Sequence, residues 1–326
     1  MSATARRSPP PFVPGYTAVP ADVLSAVDGL GVDLFTVPGD SSKPCLLCAR
    51  DYQPRAEERE ALARKRARTV YVRNVDRPAL ETRLLACLDQ ILASRSIAPV
   101  ERMQILLLAT AGELAAALAL PQGDAAVQCA SALGGRIAGL VHSVVLRPRQ
   151  AAFALQHDRG LFGHLLNVAV LLALLAKAMG GDRQDATALV AGGILHDFGK
   201  RRWPKTLPHS RNGLTSEERS LVQAHPLRGY EELAPRGDLV RPVLLMVYQH
   251  HERIDGRGYP VGIGGDEIHL WSRMCAVIDA FESVLARGPV GEQNAVDAAL
   301  QRLKILSGTH LDAEIVDCWT DALHSA

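Results

Sequence analysis

Ile194-Leu195-His196-Asp197-Phe198-Gly199-Lys200 closes an apolar helical run with an imidazole, a carboxylate and, one turn later, an ammonium. Adjacent side chains on a helix diverge by about 100°, so His196 and Asp197 suit two ions, or one ion shared at an edge, while Lys200 lies over the face of Asp197. A His-Asp pair is common by chance, and its surroundings give this one meaning. Upstream, residues 163–179 are apolar on nearly all sides (Leu165, Leu166, Val168, Val170, Leu171, Leu172), which predicts a buried helix stopped by Gly180-Gly181, with His164 at its entrance. Downstream, Thr215-Ser216-Glu217-Glu218 has the form of a capping box, and the helix it opens runs to His225-Pro226, where proline leaves His225 at a terminus or bend. An apolar helix over 239–249 then delivers His250-His251-Glu252, followed by the glycine-rich turn Asp255-Gly256-Arg257-Gly258-Tyr259-Pro260. Asp279 sits within the apolar run 274–281, where a carboxylate is costly unless a cation neutralises it.

Five histidines, His164, His196, His225, His250 and His251, thus fall among apolar helices that need none of them for packing. Imidazoles and carboxylates without thiolates suit first-row ions such as Fe, Mn, Zn, Co or Ni. Five histidines and two aspartates exceed the needs of one ion. A pair of ions about 3.5–4 Å apart would polarise a phosphoryl group and acidify a bridging water, with Asp197 as the natural bridge.

The rest of the chain agrees with a mainly α protein. It has 326 residues, 35.1 kDa, 48% hydrophobic, 22% charged and 5% aromatic residues, and is rich in Ala and Leu. A net charge of +1 gives no reason to expect duplex nucleic acid or an anionic membrane as partner. Six scattered cysteines do not make a disulfide scaffold, the N-terminus lacks the apolar stretch of a signal peptide, and the run 165–176 is shorter than the ~18–20 residues of a membrane span. A cytoplasmic location is expected. Residues 1–15, rich in proline, read as a flexible lead. Residues 16–75 read as a small α/β domain with β-like runs at 32–37, 44–49 and 69–72, a hairpin turn at Gly39-Asp40-Ser41-Ser42-Lys43 and a polar helix near 55–68. Residues 76–152 read as a helical connector with Leu80, Leu84, Leu85, Leu88 and Leu92 at helical spacing, and 153–326 as the all-helical domain that carries the histidines.

In this order the motifs resemble the HD-GYP family, hydrolases of the HD superfamily that act on cyclic di-GMP. The carrying residues are Leu195 to Lys200, Leu214 to Glu218, His225-Pro226 with Gly229, His250 to Glu252, Asp255 to Pro260, and Arg273 leading to Asp279, across 156–325. The resemblance implies an all-helical HD-type metallohydrolase domain with two divalent transition metals, Fe or Mn first, with Zn, Co or Ni also compatible. It implies His164, His196, Asp197 and Asp279 around one metal and Asp197, His225, His250 and His251 around the other. Lys200 would act with Asp197 in catalysis and steady the phosphate or leaving group, Tyr259 would form a lip on the substrate side, and Asp255 and Gly258 would complete the substrate contacts. The chain departs from the family at two places. Gly160 stands where some members carry a third-metal glutamate, which implies a binuclear site. Gly288-Pro289-Val290-Gly291 stands where members commonly have Arg-Pro-Tyr-Arg, leaving Arg287 as the nearest substitute for phosphate contacts worth about 1.5–3 kcal/mol each.

The resemblance leads to the expectation of a phosphodiesterase that opens cyclic di-GMP to pGpG, and onward to GMP, with a metal-bridging hydroxide. Two alternatives stand beside it: an adaptor or receptor that keeps the metals but contacts a signalling partner, and an HD hydrolase of another cyclic dinucleotide. By analogy, the connector is also a potential homodimer element. Bland readings suffice for Cys45-Leu46-Leu47-Cys48, a strand, for Arg64 to Arg68, a helix face self-paired with Glu60, and for His157-Asp158, a decoy of the true pair.

Overall fold

In a computed structural model of the chain the described residues are 13–27, 29–38, 43–51, 69–155, 161–203, 214–287 and 294–325. The first twelve residues of the lead, the turn at 39–42, the polar helix near 55–68, His157-Asp158, Gly160 and the segment 288–291 lie outside them.

The described residues form two compact units, one up to Gly112 together with Phe153–Leu155, the other holding the remainder. In the first, four short strands form an antiparallel sheet in the order β1-β4-β2-β3: β1 (Tyr16–Pro20), β2 (Leu34–Thr36), β3 (Cys45–Cys48) and β4 (Thr69–Arg73). Three strands lie in the expected apolar runs. β1 carries no clear alternation of its own and is made by pairing Tyr16 to Pro20 against Arg73 to Thr69. Val19, Leu34, Val70 and Val72 are buried in this unit, as is Val13 of the lead, and Arg73 ties Asp33 (2.8 Å) to Asp76 (3.0 Å). Helices α1 (Arg77–Ala86) and α2 (Leu88–Ala93) follow, with Pro78 in the first turn of α1. They bury Leu80, Leu84 and Leu88, and the stripe continues through Ile91 rather than Leu92 because the helix is interrupted at Cys87.

Helix α3 (Pro99–Ala119) spans the boundary of the units. It is long and apolar enough to cross a membrane by length and composition, though 44% of its apolar window is buried against the protein. In the second unit α4 (Asp124–Ser143) packs on α6 (Leu161–Ala178) and α7 (Arg183–Leu195), with α5 (Pro148–Ala154) between them in sequence. Helix α6 is buried from Leu165 to Ala176, and Gly181 closes it by donating its N–H to the Ala176 carbonyl (2.8 Å). The Asp182 side chain caps α7. Next come α8 (Ser216–Gln223), opened by the Thr215/Glu218 capping box, α9 (His225–Leu233), α10 (Arg241–Gln249), α11 (Leu270–Leu285), α12 (Asn294–Leu306) and α13 (Ala313–His324). Phe281 meets Trp319 edge-on at 5.6 Å, holding α13 to the core. All six cysteines are free thiols.

Candidate metal centre

Five helix ends and one helix interior supply the polar centre of the second unit. His164 is in the first turn of α6, and His196 caps the C-terminus of α7. Asp197 opens the short 3-10 turn Phe198–Arg202 that carries Lys200. His225 begins α9 at the bend that Pro226 enforces, His250 and His251 follow α10, and Asp279 projects from α11. The turn after Asp197 is held by close backbone contact: a Cβ on Gly199 would stand 2.0 Å from the His225 carbonyl oxygen and 2.8 Å from Gly229 N, so only glycine lets this turn lie against α9.

Main-chain carbonyls set the tautomers. His196 Nδ1 lies 2.6 Å from Gly193 O, His225 Nδ1 2.7 Å from Val222 O and His250 Nδ1 3.0 Å from Val247 O. A carbonyl only accepts, so each Nδ1 donates and each Nε2 presents a bare lone pair to the centre. His225 Nε2 and His250 Nε2 then face one another at 3.1 Å, with Asp197 Oδ1 3.1 Å from the first and 3.6 Å from the second. Two lone pairs and a carboxylate in one buried place repel unless a cation lies among them. Its companion oxygen, Asp197 Oδ2, lies 3.4 Å from His196 Nε2 and 3.6 Å from His164 Nε2, and the latter is 3.4 Å from Asp279 Oδ1. Asp197 therefore turns one oxygen toward each of two groups, His164/His196/Asp279 and His225/His250/His251, whose members' ligand atoms are mutually within 4.8 Å. Buried His196 Nε2, His251 Nε2 and Asp197 Oδ1 have no hydrogen-bond partner, and a metal is the partner their chemistry fits.

Electrostatics point the same way. Burial, only partly offset by Asp197, brings the His196 imidazole down to about 3. Burial likewise lowers His225 and pushes His251 well below the usual imidazole range. These rings stay neutral, the form in which an imidazole can bind a metal. Burial also opposes charge on His164, but Asp197, Glu282 and Asp279 outweigh it and raise His164 to about 10. Without metal, a proton on His164 supplies the positive charge these carboxylates demand, and an ion on the same lone pair would replace it. Burial works against the Asp197 charge too, yet the Lys200 ammonium and a hydrogen bond from His164 hold its carboxyl well below the ordinary value, and charged His164 lowers Asp279 against the same penalty.

Around this cluster the expected substrate contacts differ in what the fold makes of them. Lys200 forms an ion pair with Asp197 and lies 5.4 Å from the Trp203 ring centroid. Tyr259 stacks on His251 at 4.8 Å and donates its N–H to the His251 carbonyl. Gly258 is a packing position, because a Cβ there would come within 2.4 Å of Glu252 Cα. Asp255 is drawn into its own turn by Arg253 Nε (2.8 Å) and Arg257 N (3.1 Å). Arg287 is exposed in the turn after α11. Three residues were not anticipated in a role. Glu282 and Asn167 support His164, and their signal was the spacing of three from Asp279 and His164 inside apolar helices. Glu252, quoted with the histidines, fastens the following loop by accepting N–H bonds from Val261 (2.7 Å) and Gly262 (3.0 Å).

A family model described as HD domain matches residues 148–315, more than half of the chain. The chain belongs to the HD-domain family. Its HD-GYP character, read from the motifs, agrees with the relatives it matches. This HD-domain chain is 31% identical over 202 residues to the cyclic di-GMP phosphodiesterase response regulator RpfG of Xanthomonas campestris pv. campestris, covering 60% of the chain and 53% of that protein. It is 30% identical over 164 residues to the cyclic di-GMP phosphodiesterase PA4108 of Pseudomonas aeruginosa (50% and 39% covered). It is 32% identical over 167 residues to the 3'3'-cGAMP-specific phosphodiesterase 3 of Vibrio cholerae (50% and 35% covered). The chain thus spans between about a third and half the length of these relatives. Among solved structures, it resembles Bd1817, a HDG"Y"P protein from Bdellovibrio bacteriovorus, with a TM-score of 0.65 and 18% identity over 95% of this chain and all of that one. That likeness extends the shared fold beyond the HD domain. The all-helical HD-type domain and the small N-terminal sheet are as expected from the sequence.

Proposed function

We propose that the chain is a metal-dependent phosphodiesterase that opens cyclic di-GMP to pGpG, and onward to GMP. The observation that carries this reading is Asp197, whose two carboxylate oxygens face separate sets of imidazole nitrogens. Two divalent transition ions, Fe or Mn first, would be held by His164, His196, Asp197 and Asp279 and by Asp197, His225, His250 and His251. Bound there, they supply Lewis-acid polarisation of a phosphoryl oxygen and activation of water. Lys200, paired with Asp197 here, would place its ammonium beside a bound phosphate and stabilise charge that develops on the phosphoryl oxygens as the P–O bond breaks. Tyr259, stacked on His251, forms the lip beside which a guanine base or ribose rests. The names of the relatives support a cyclic dinucleotide as substrate, and among these, cyclic di-GMP and 3'3'-cGAMP are the candidates. The reading includes a cytoplasmic location and an N-terminal regulatory region up to residue 75 joined by a connector to the HD domain from 153.

A second reading is favoured by one feature of the sequence. Gly288-Pro289-Val290-Gly291 offers no arginine for substrate phosphate, as an adaptor that binds without turning over would tolerate. Metal content of protein purified without added metal, followed by chromatography of cyclic di-GMP and 3'3'-cGAMP incubated with it, separates the two. About two metals per chain with linear product supports the phosphodiesterase. Two metals with both substrates intact rejects it in favour of the adaptor.

A further inference from the structure

We propose that Glu282 is a positioning residue that builds an asymmetry into the metal pair, locking His164 for the first site alone. The inference deepens the binuclear reading above and rests on it. His196, His225 and His250 give their Nδ1–H to neutral carbonyls, whereas His164 Nδ1 lies 2.6 Å from the Glu282 carboxylate. Glu282 is 1% exposed, and its second oxygen accepts from Asn167 Nδ2 at 2.9 Å. Asn167, itself 3% exposed, stands one turn after His164 on α6, as Glu282 stands one turn after Asp279 on α11. The two helices thus interlock a ligand and its support from each side. A buried carboxylate persists only when its lone pairs are used, and here each oxygen has a donor. A carboxylate behind an imidazole fixes the ring and its tautomer and makes Nε2 a stronger base toward a metal. Among the hydrogen bonds described, the second site's His225 and His250 have carbonyl support only. The two sites therefore depend on different groups, and loss of Glu282 weakens one of them.

The test is calorimetric titration of the metal-free full chain with Mn²⁺, for wild type, Glu282→Gln, His164→Ala and the double variant. Glutamine keeps the shape but has one accepting oxygen for two donors. Wild type is expected to bind two ions. Glu282→Gln should keep one at wild-type affinity and bind the other about 10- to 100-fold more weakly. Added to His164→Ala, it should cause no further loss, because both act on one site. Should Glu282→Gln unfold below the titration temperature, Asn167→Ala, which frees the carboxylate, is expected to weaken the same single ion. Two ions at wild-type affinity in the variant, or equal weakening of both, overturns the proposal, the latter being the signature of a loosened fold. A wild type that binds fewer than two ions overturns the binuclear reading itself, and the same isotherm tells the two failures apart.

Discussion

Replacing Gly199 with alanine tests how the HD turn is fixed. The added Cβ would lie 2.0 Å from the His225 carbonyl oxygen and 2.8 Å from Gly229 N, both backbone atoms that cannot swing aside. Restoring a van der Waals separation of about 3.5 Å requires the turn and α9 to part by roughly 1 Å or more. Overpacking of this kind costs about 1–3 kcal/mol. At roughly 2–4 °C per kcal/mol, the melting temperature should fall by about 2–12 °C. The displacement also separates Asp197 from His225, now 3.1 Å apart, and a misplacement of about 1 Å at a reacting centre costs on the order of 100-fold in rate. Thermal melting followed by circular dichroism reads the first effect, and metal content and turnover of cyclic di-GMP on the same sample read the second. A Gly199→Ala protein with wild-type melting temperature and full metal content would refute the argument that this backbone contact sets the bridge.

Three further outcomes are expected. Asp197→Ala removes both bridging oxygens and should abolish metal loading at both sites together with turnover; an active, metal-free variant would sink the two-site reading. Glu252→Ala leaves the N–H groups of Val261 and Gly262 without their buried acceptor, which costs about 1–3 kcal/mol, and should loosen the Tyr259 loop so that KM rises while metal content stays intact; equal KM values would show that the loop needs no such anchor. In metal-free protein the folded His196 titrates near 3 against an ordinary 6.5, so its contribution to stability is full above pH 6.5 and is lost as pH falls toward 3, and the lowered His225 and His251 act in the same sense. His164, raised to about 10, contributes fully below 6.5 and loses its contribution as pH rises through 10. The melting temperature should therefore peak near about pH 6.5 and fall more steeply on the acid side, where three imidazoles act together; a flat profile from pH 7 to pH 5 would remove the premise that these rings are buried and neutral.

Much of this centre could be read along the chain because its candidate ligands sit at punctuation. His196 follows an apolar run, His225 precedes a proline and His250-His251 end a helix, all of which are local signals. The strands at Leu34–Thr36, Cys45–Cys48 and Thr69–Arg73 were legible for the same reason, as short apolar runs with turn residues around them. Tyr16–Pro20 was not, since its extended form is imposed by its partner β4. Helix α4 reads as one more Ala/Leu helix, and its packing on α6 and α7 appears only in the fold.

Residue order was enough to settle that this is a mainly helical HD-type chain and which residues have the chemistry of ligands, because periodicity, capping and residue type act over a few positions. Tertiary structure decided how those candidate ligands are divided and held. Asp197 faces two sets of histidines because the ends of α6, α7, α9 and α10 meet the middle of α11 at one point, and Glu282 meets His164 across 118 positions of chain. Asp255 is spent on Arg253 and Arg257, while Glu252 and Gly258 hold the loop that Tyr259 rides on. Hydrogen-bond direction and close backbone approach are properties of the folded arrangement, and no spacing in the sequence encodes them.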